Sequence, residues 1–181
     1  QARKTCPVQI FATDTSDEAL EIGRRGRYPM GIATQISPAR LRRYFVEVPD
    51  HQCFQVSQTL REAVVFGVQN LFADPPLARV DLISCRNVLI YLEHEIQRRI
   101  IGIFHFALRP EACLFLGSAE SIGGHNELFK TISATWRIYR REGRARLFLP
   151  SHDWFAYTRY RVEPDFTRTV DKQIKDEETG I

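Results

Sequence analysis

Long apolar runs are absent from this 181-residue sequence. None reaches the roughly 18 residues that a membrane-spanning helix needs, which argues against membrane insertion. The opening residues, QARKTCPVQIF, include basic groups but lack the apolar stretch of a secretion signal. Cysteine is scarce and unpatterned. Cys6, Cys53, Cys85 and Cys113 are widely spaced, with no C-x-x-C pair and no histidine at metal-ligand spacing. That argues against a disulfide framework or a metal module and points to a reducing, cytoplasmic compartment. Charge of one sign is not in excess either: 25 basic and 22 acidic side chains leave a net +3, too balanced to point to nucleic acid. There is no internal repeat, no low-complexity tract and no G-x-G-x-x-G-like loop after a first strand. The single glycine pair, Gly123-Gly124, lies far downstream.

What is present is apolar content of 44%, enough to bury the core of one domain, or of a domain with an appendage. Val8–Thr13 is a short apolar run ending at Asp14, consistent with a buried strand. Thr15 followed by Glu18 fits a capping box, and Gly26 fits a helix stop, so a helix is predicted over Ser16–Arg25. Ser37-Pro38 starts a second, short helix running to about Tyr44. Two β-prone runs flank PDH within Phe45–Val56 and predict a small hairpin. Val64–Val68 and Val80–Ser84 are further apolar strands. A helix is predicted from about Glu93 to Leu108, with Ile96, Ile100, Ile103 and Ala107 on one face and Gln97, Arg98 and Arg99 turned away. Cys113–Gly117 is one more strand, and Phe129–Ser133 with Thr135–Arg140 predicts a closing antiparallel pair. Beyond Glu142 the pattern weakens into a linker or tail. Strand and helix alternate through the middle of the chain, which predicts an α/β fold with a mostly parallel sheet.

Three predicted parallel strands end in polar groups: Asp14, Gln69-Asn70 and Arg86-Asn87. In open α/β sheets, ligands bind outside the carboxyl ends of the strands. A carboxylate there can accept hydrogen bonds from a ribose diol, an amide can both donate and accept at an adenine edge, and a guanidinium can fork onto a carboxylate. Cys85 and the loop residue His125 invite catalytic readings. Packing for the first and an ordinary loop histidine for the second are the better ones, since nothing beside Cys85 except Arg86 would lower a thiol pKa.

The stretch VDLISCRNVLIYLEHEIQRRIIGIFHFALRP, with LFLGSAESIG after it, strongly resembles the CheR-type chemotaxis protein-glutamate methyltransferases. It looks most like the CheR part of hybrid proteins in which a CheB-like esterase and a CheR-like transferase share a chain. The likeness extends through IFATD, ISPARLRRYF and VVFGVQNLFADPP, covering about Val8 to Arg141, and Cys-Arg-Asn-x-x-x-Tyr is its specific signature. The resemblance implies a Rossmann-like class I S-adenosylmethionine (AdoMet) fold, a mostly parallel sheet with an antiparallel closing strand. It implies a reaction that moves the AdoMet methyl to glutamate side chains of a chemoreceptor, leaving S-adenosylhomocysteine. Carried over by residue, Asp14 would bind the ribose, Asn70 and Leu71 would contact adenine, and Asn87 would complete the cofactor site. Arg86 would orient the acceptor carboxylate, and Tyr91 would line the methyl-transfer position.

The chain also departs from that pattern. The family's helical N-terminal domain, first strand and glycine-rich turn have no counterpart here, so the fold is expected to lack a central strand and AdoMet binding to be weak. Ser16 stands where the family has a second acidic residue, and its P-x-G-G turn reads Pro110-Glu111-Ala112-Cys113. The hairpin lacks the glycines of members that tether to a receptor pentapeptide, so tethering is not expected. The expected organisation is a partial methyltransferase domain over 1–141, with the hairpin inserted at about 45–56, followed by an extension over 142–181. Two functions stay open: the catalytic portion of a protein-glutamate methyltransferase acting on a chemoreceptor's cytoplasmic region, or a noncatalytic interaction module of a multidomain signalling protein. With a central strand missing, Val8–Thr13 and Val80–Ser84 would pair with each other or recruit a new strand, and the aromatic-rich Trp154–Val162 is a candidate to cover an edge.

Overall fold

The computed structural model describes residues 7–71 and 73–143. Trp154–Val162, and with it most of the extension expected over 142–181, lies outside the described residues. The chain divides into two compact units, one ending at Asn70 and the other beginning at Leu71.

In the first unit, strand β1 (Ile10–Asp14) leads into helix α1 (Asp17–Arg25). The helix cap is Ser16 rather than Thr15. Its hydroxyl accepts from the Ala19 amide at 3.2 Å, with Asp17 and Glu18 in the first turn and Arg24 and Arg25 in the last, both favourable to the helix dipole. Gly26, in the left-handed region at φ 58°, ends the helix as expected. There follow β2 (Arg27–Pro29), α2 (Ile32–Gln35), α3 (Pro38–Tyr44), β3 (Phe45–Val48), β4 (Cys53–Val56), α4 (Gln58–Glu62) and β5 (Val64–Val68). The expected hairpin is β3 with β4, widened to three strands by β2 on the far side of β4. Three residues, one of them Pro29, are too few to show a strand period, which is why β2 was not legible.

β1 and β5 form a parallel pair in continuous register from Ile10 opposite Val64 to Asp14 opposite Val68. α1 packs on β5 so closely that a Cβ on Gly23 would meet the Phe66 ring at 2.5 Å, so any larger residue here would force that ring to shift. Parallel strands normally have both faces covered. Here Ile10, Phe11, Val65 and Val68 are all at least 44% exposed, a poor arrangement for β-prone apolar residues.

The second unit is built from β6 (Val80–Cys85), α5 (His94–Ala107), β7 (Leu108–Leu116), β8 (Phe129–Ser133) and β9 (Ile138–Arg141), in sheet order β6-β7-β9-β8. β6 and β7 are parallel, and β9 runs antiparallel to both β7 and β8, as the expected closing pair requires. β7 starts earlier than expected because Leu108 already pairs with Val80. A bulge then absorbs Pro110 and Glu111, with Glu111 at φ 64°, a conformation usually left to glycine. The described partner of β1 is β5, and that of β6 is β7.

The core of this unit joins Ile100, Ile101 and Phe104 of α5 to Leu108, Leu114 and Leu116 of β7, together with Leu89, Phe129 and Tyr139. The buried face of α5 is wider than expected. Ile101, Phe104 and His105 are all inside, and Gln97 is turned in rather than away. His105 sits edge-on to Phe129, with Nε2 2.7 Å from the Glu142 carbonyl. Burial lowers its pKa below 6.5, against the opposing pull of that hydrogen bond.

Candidate functional site

The six predicted site residues fall into two groups, one in each unit. In the first unit, Asp14 ends β1 and Asn70 follows β5, and the two strand tips are joined by the Gln69 amide donating 2.9 Å to the Asp14 carbonyl. The Asp14 side chain is exposed, and its Oδ1 accepts from the Ser16 amide at 2.9 Å. An ionised carboxylate has about four lone-pair sites, so this bond orients the group without exhausting it. Ser16 here is both the helix cap and the clamp on Asp14.

In the second unit, Leu71 packs against the core. β6 delivers Cys85 to the interior and then turns outward at Arg86. The Arg86 guanidinium lies 4.8 Å over the Phe115 ring. Stacking of this kind occupies the face of the guanidinium and leaves its edge donors for a carboxylate. Asn87 follows at φ 59°, a left-handed conformation that asparagine tolerates. Leu89 is buried at 1% exposure and anchors the short 3-10 turn Leu89–Tyr91, which presents Tyr91 at 53% exposure. So Tyr91 is not a core residue. Arg86 and Tyr91 flank a loop pinned by the side chain between them.

Two residues hold this loop that no sequence pattern singles out. Glu120 is buried at 3% exposure. Its Oε1 accepts from the Val88 and Leu89 amides at 2.8 and 2.7 Å, and its Oε2 accepts from the Gly117 amide at 2.6 Å. Gln97 of α5 donates from Nε2 to the Leu89 and Leu92 carbonyls at 3.0 and 2.8 Å. The available signal for Glu120 was an acidic residue among small ones in LFLGSAESIG, directly after a buried strand.

Cys85 is a packing residue. It is buried, and its pKa is pushed up from 9.0 to about 12, chiefly by burial and secondarily by the Glu120 carboxylate. At pH 8 a thiol with that pKa is ionised in about one molecule in ten thousand. Alkylation with iodoacetamide at pH 8 should therefore leave Cys85 unmodified in the folded protein and label it on unfolding, as read by peptide mass spectrometry. Equal labelling in both states would contradict the burial. His125 pairs with Glu127 at 3.1 Å in its loop, an ordinary structural contact.

Within each unit a polar side chain stands at the carboxyl end of a parallel strand, Asp14 on β1 and Arg86 just after β6, which is where open α/β sheets bind their ligands. Residues 1–138 match the family described as CheR methyltransferase, SAM binding domain. The chain belongs to this family, and its α/β arrangement is the Rossmann-like methyltransferase fold. It is 34% identical over 142 residues to an uncharacterised 104.1 kDa protein of Rhodobacter capsulatus, covering 77% of this chain and 15% of that protein. It is 33% identical over 136 residues to chemotaxis protein methyltransferase 1 of Pseudomonas aeruginosa, covering 74% of this chain and 49% of the relative. A probable chemotaxis protein methyltransferase of Rhizobium etli is 32% identical over 142 residues, covering 76% and 53%. The chain thus spans about half the length of these two methyltransferases. No described helix is long and apolar enough to cross a membrane.

Proposed function

We propose that this chain is part of the catalytic domain of a cytoplasmic protein-glutamate O-methyltransferase, acting on the cytoplasmic region of a chemoreceptor. The observation that carries the reading is the loop after β6. It combines the Cys85-Arg86-Asn87 and Tyr91 signature with an outward, ring-stacked guanidinium and an exposed phenol at the carboxyl end of a parallel strand. Asp14 fits the nucleoside end of AdoMet, because an exposed carboxylate at a strand tip suits a diol. Asn70 and Leu71 take the adenine, and Asn87 completes the cofactor contacts.

AdoMet, when bound, supplies a methyl group already activated as a sulfonium. Glutamate has a pKa of about 4.3, so the acceptor arrives as a carboxylate and no residue need remove a proton. The work left to the protein is orientation. Arg86 holds the acceptor carboxylate in a two-point fork so that one oxygen faces the methyl carbon, and Tyr91 borders the transfer position and limits water there. Binding through a receptor pentapeptide is not part of the proposal, nor is a nucleic-acid partner.

The chain spans about half of its methyltransferase relatives and carries no glycine-rich loop of the G-x-G-x-x-G kind, which supports a partial cofactor site. The 181-residue chain alone should therefore bind S-adenosylhomocysteine weakly or not at all, because only nucleoside contacts are supplied. Calorimetry checks this: a dissociation constant in the range of about 1 μM or tighter, near −8 kcal/mol, would mean that these residues suffice for the whole site.

A further inference from the structure

We propose that Glu120 is a positioning residue for the transferase: its buried carboxylate sets the shape of the Arg86–Tyr91 loop, with Gln97 fixing the loop's other end. The inference rests on the functional reading above and adds to it a residue that touches neither cofactor nor acceptor. One carboxylate oxygen gathers the Val88 and Leu89 amides, and the other takes the Gly117 amide. So the loop after β6 and the turn after β7 are tied through a single side chain. The turn is itself closed by the Glu120 amide donating to the Gly117 carbonyl at 3.0 Å. Gly117 has no room for a side chain. A Cβ there would meet Glu120 Oε2 at 2.7 Å, Asn87 Oδ1 at 2.8 Å and the Asn87 amide nitrogen at 3.0 Å.

The two clamps are complementary. Glu120 satisfies amides on the entry side of the 3-10 turn, while Gln97 satisfies the Leu89 and Leu92 carbonyls on its exit side. Buried backbone groups that find no partner cost free energy. A loop with both its donors and its acceptors taken by buried or half-buried side chains has one shape available. Asn87, the residue just before the clamped Val88 amide, already sits in a sparsely populated backbone region. Preorganisation of this kind matters for a reaction whose rate comes from placement.

The test uses the full natural protein that carries this chain, with three measurements on Glu120→Gln and Gln97→Ala. They are amide hydrogen exchange at Val88, Leu89 and Gly117, S-adenosylhomocysteine affinity, and methyl transfer at saturating AdoMet. Glu120→Gln keeps one acceptor oxygen and replaces the other by an amide group facing the Gly117 N–H. It is expected to fold, with Val88 or Gly117 exchange about tenfold faster, turnover about tenfold lower and cofactor affinity within about threefold of wild type. Gln97→Ala should move turnover in the same direction by a smaller factor. Glu120→Ala would leave three amides unpaired, so loss of folding in that variant agrees with the clamp, and the glutamine variant remains the diagnostic one. Unchanged exchange in Glu120→Gln, or faster exchange with wild-type turnover, overturns the proposal. A wild-type protein that transfers no methyl group while Glu120→Gln still releases the loop would overturn the transferase reading and the catalytic purpose, but not the clamp.

Discussion

Replacing Arg86 with alanine in the full natural protein is expected to lower methyl transfer by about one to two decades while leaving S-adenosylhomocysteine affinity nearly unchanged. A hydrogen bond to a charged group contributes roughly 1.5–3 kcal/mol, which sets that range. The selectivity of the effect follows from where Arg86 is. It is exposed and stacked on Phe115, so its removal should cost no more than about 1 kcal/mol of stability. Asp14→Ala should do the reverse, weakening cofactor binding while leaving turnover at saturation largely intact, because its proposed partner is the ribose. Titration of both variants with cofactor and with acceptor separates the roles. Loss of cofactor affinity in Arg86→Ala with unchanged turnover would exchange them.

The largest loss of stability should come from Phe129→Ala. Phe129 opens β8 at 1% exposure, packs edge-on against His105 at 5.5 Å between centroids and belongs to the core that joins α5 to the sheet. Truncating a buried phenylalanine typically costs about 3–5 kcal/mol through lost transfer energy and the cavity left behind. Urea unfolding of the variant should show that loss. A change below about 1 kcal/mol would mean that the edge of this core is looser than its burial implies. The two substitutions therefore divide cleanly, one acting on chemistry and the other on the fold.

Much of this was legible in the sequence because the signals were local. β5 falls on Val64–Val68 as the apolar run predicted, α3 begins at Pro38, and α5 covers the predicted span to within one residue at each end. The short elements were not legible: β2 depends on β4 as its partner, and α2 and α4 are four and five residues long, too short for a helical period. Gln97 was misread for a different reason. Periodicity places a polar residue on the outer face, whereas the half-turn at Leu89–Leu92 supplies carbonyls that bring it inward. Glu120 shows the same limit. A single acid in a loop gives no pattern, and its role appears only when three amides from two separate loops converge on it. The candidate contact residues at the strand tips were visible from chemistry and resemblance, while the residues that hold them in place needed three dimensions.

The most direct test of the central claim is methyl transfer itself. The full natural protein is incubated with methyl-labelled AdoMet and the cytoplasmic region of a chemoreceptor from the same organism. The account predicts label on receptor glutamates as methyl esters, released as methanol by mild alkali and strongly reduced in Arg86→Ala. Label that resists alkali, or no transfer from a protein that binds the cofactor, would contradict it.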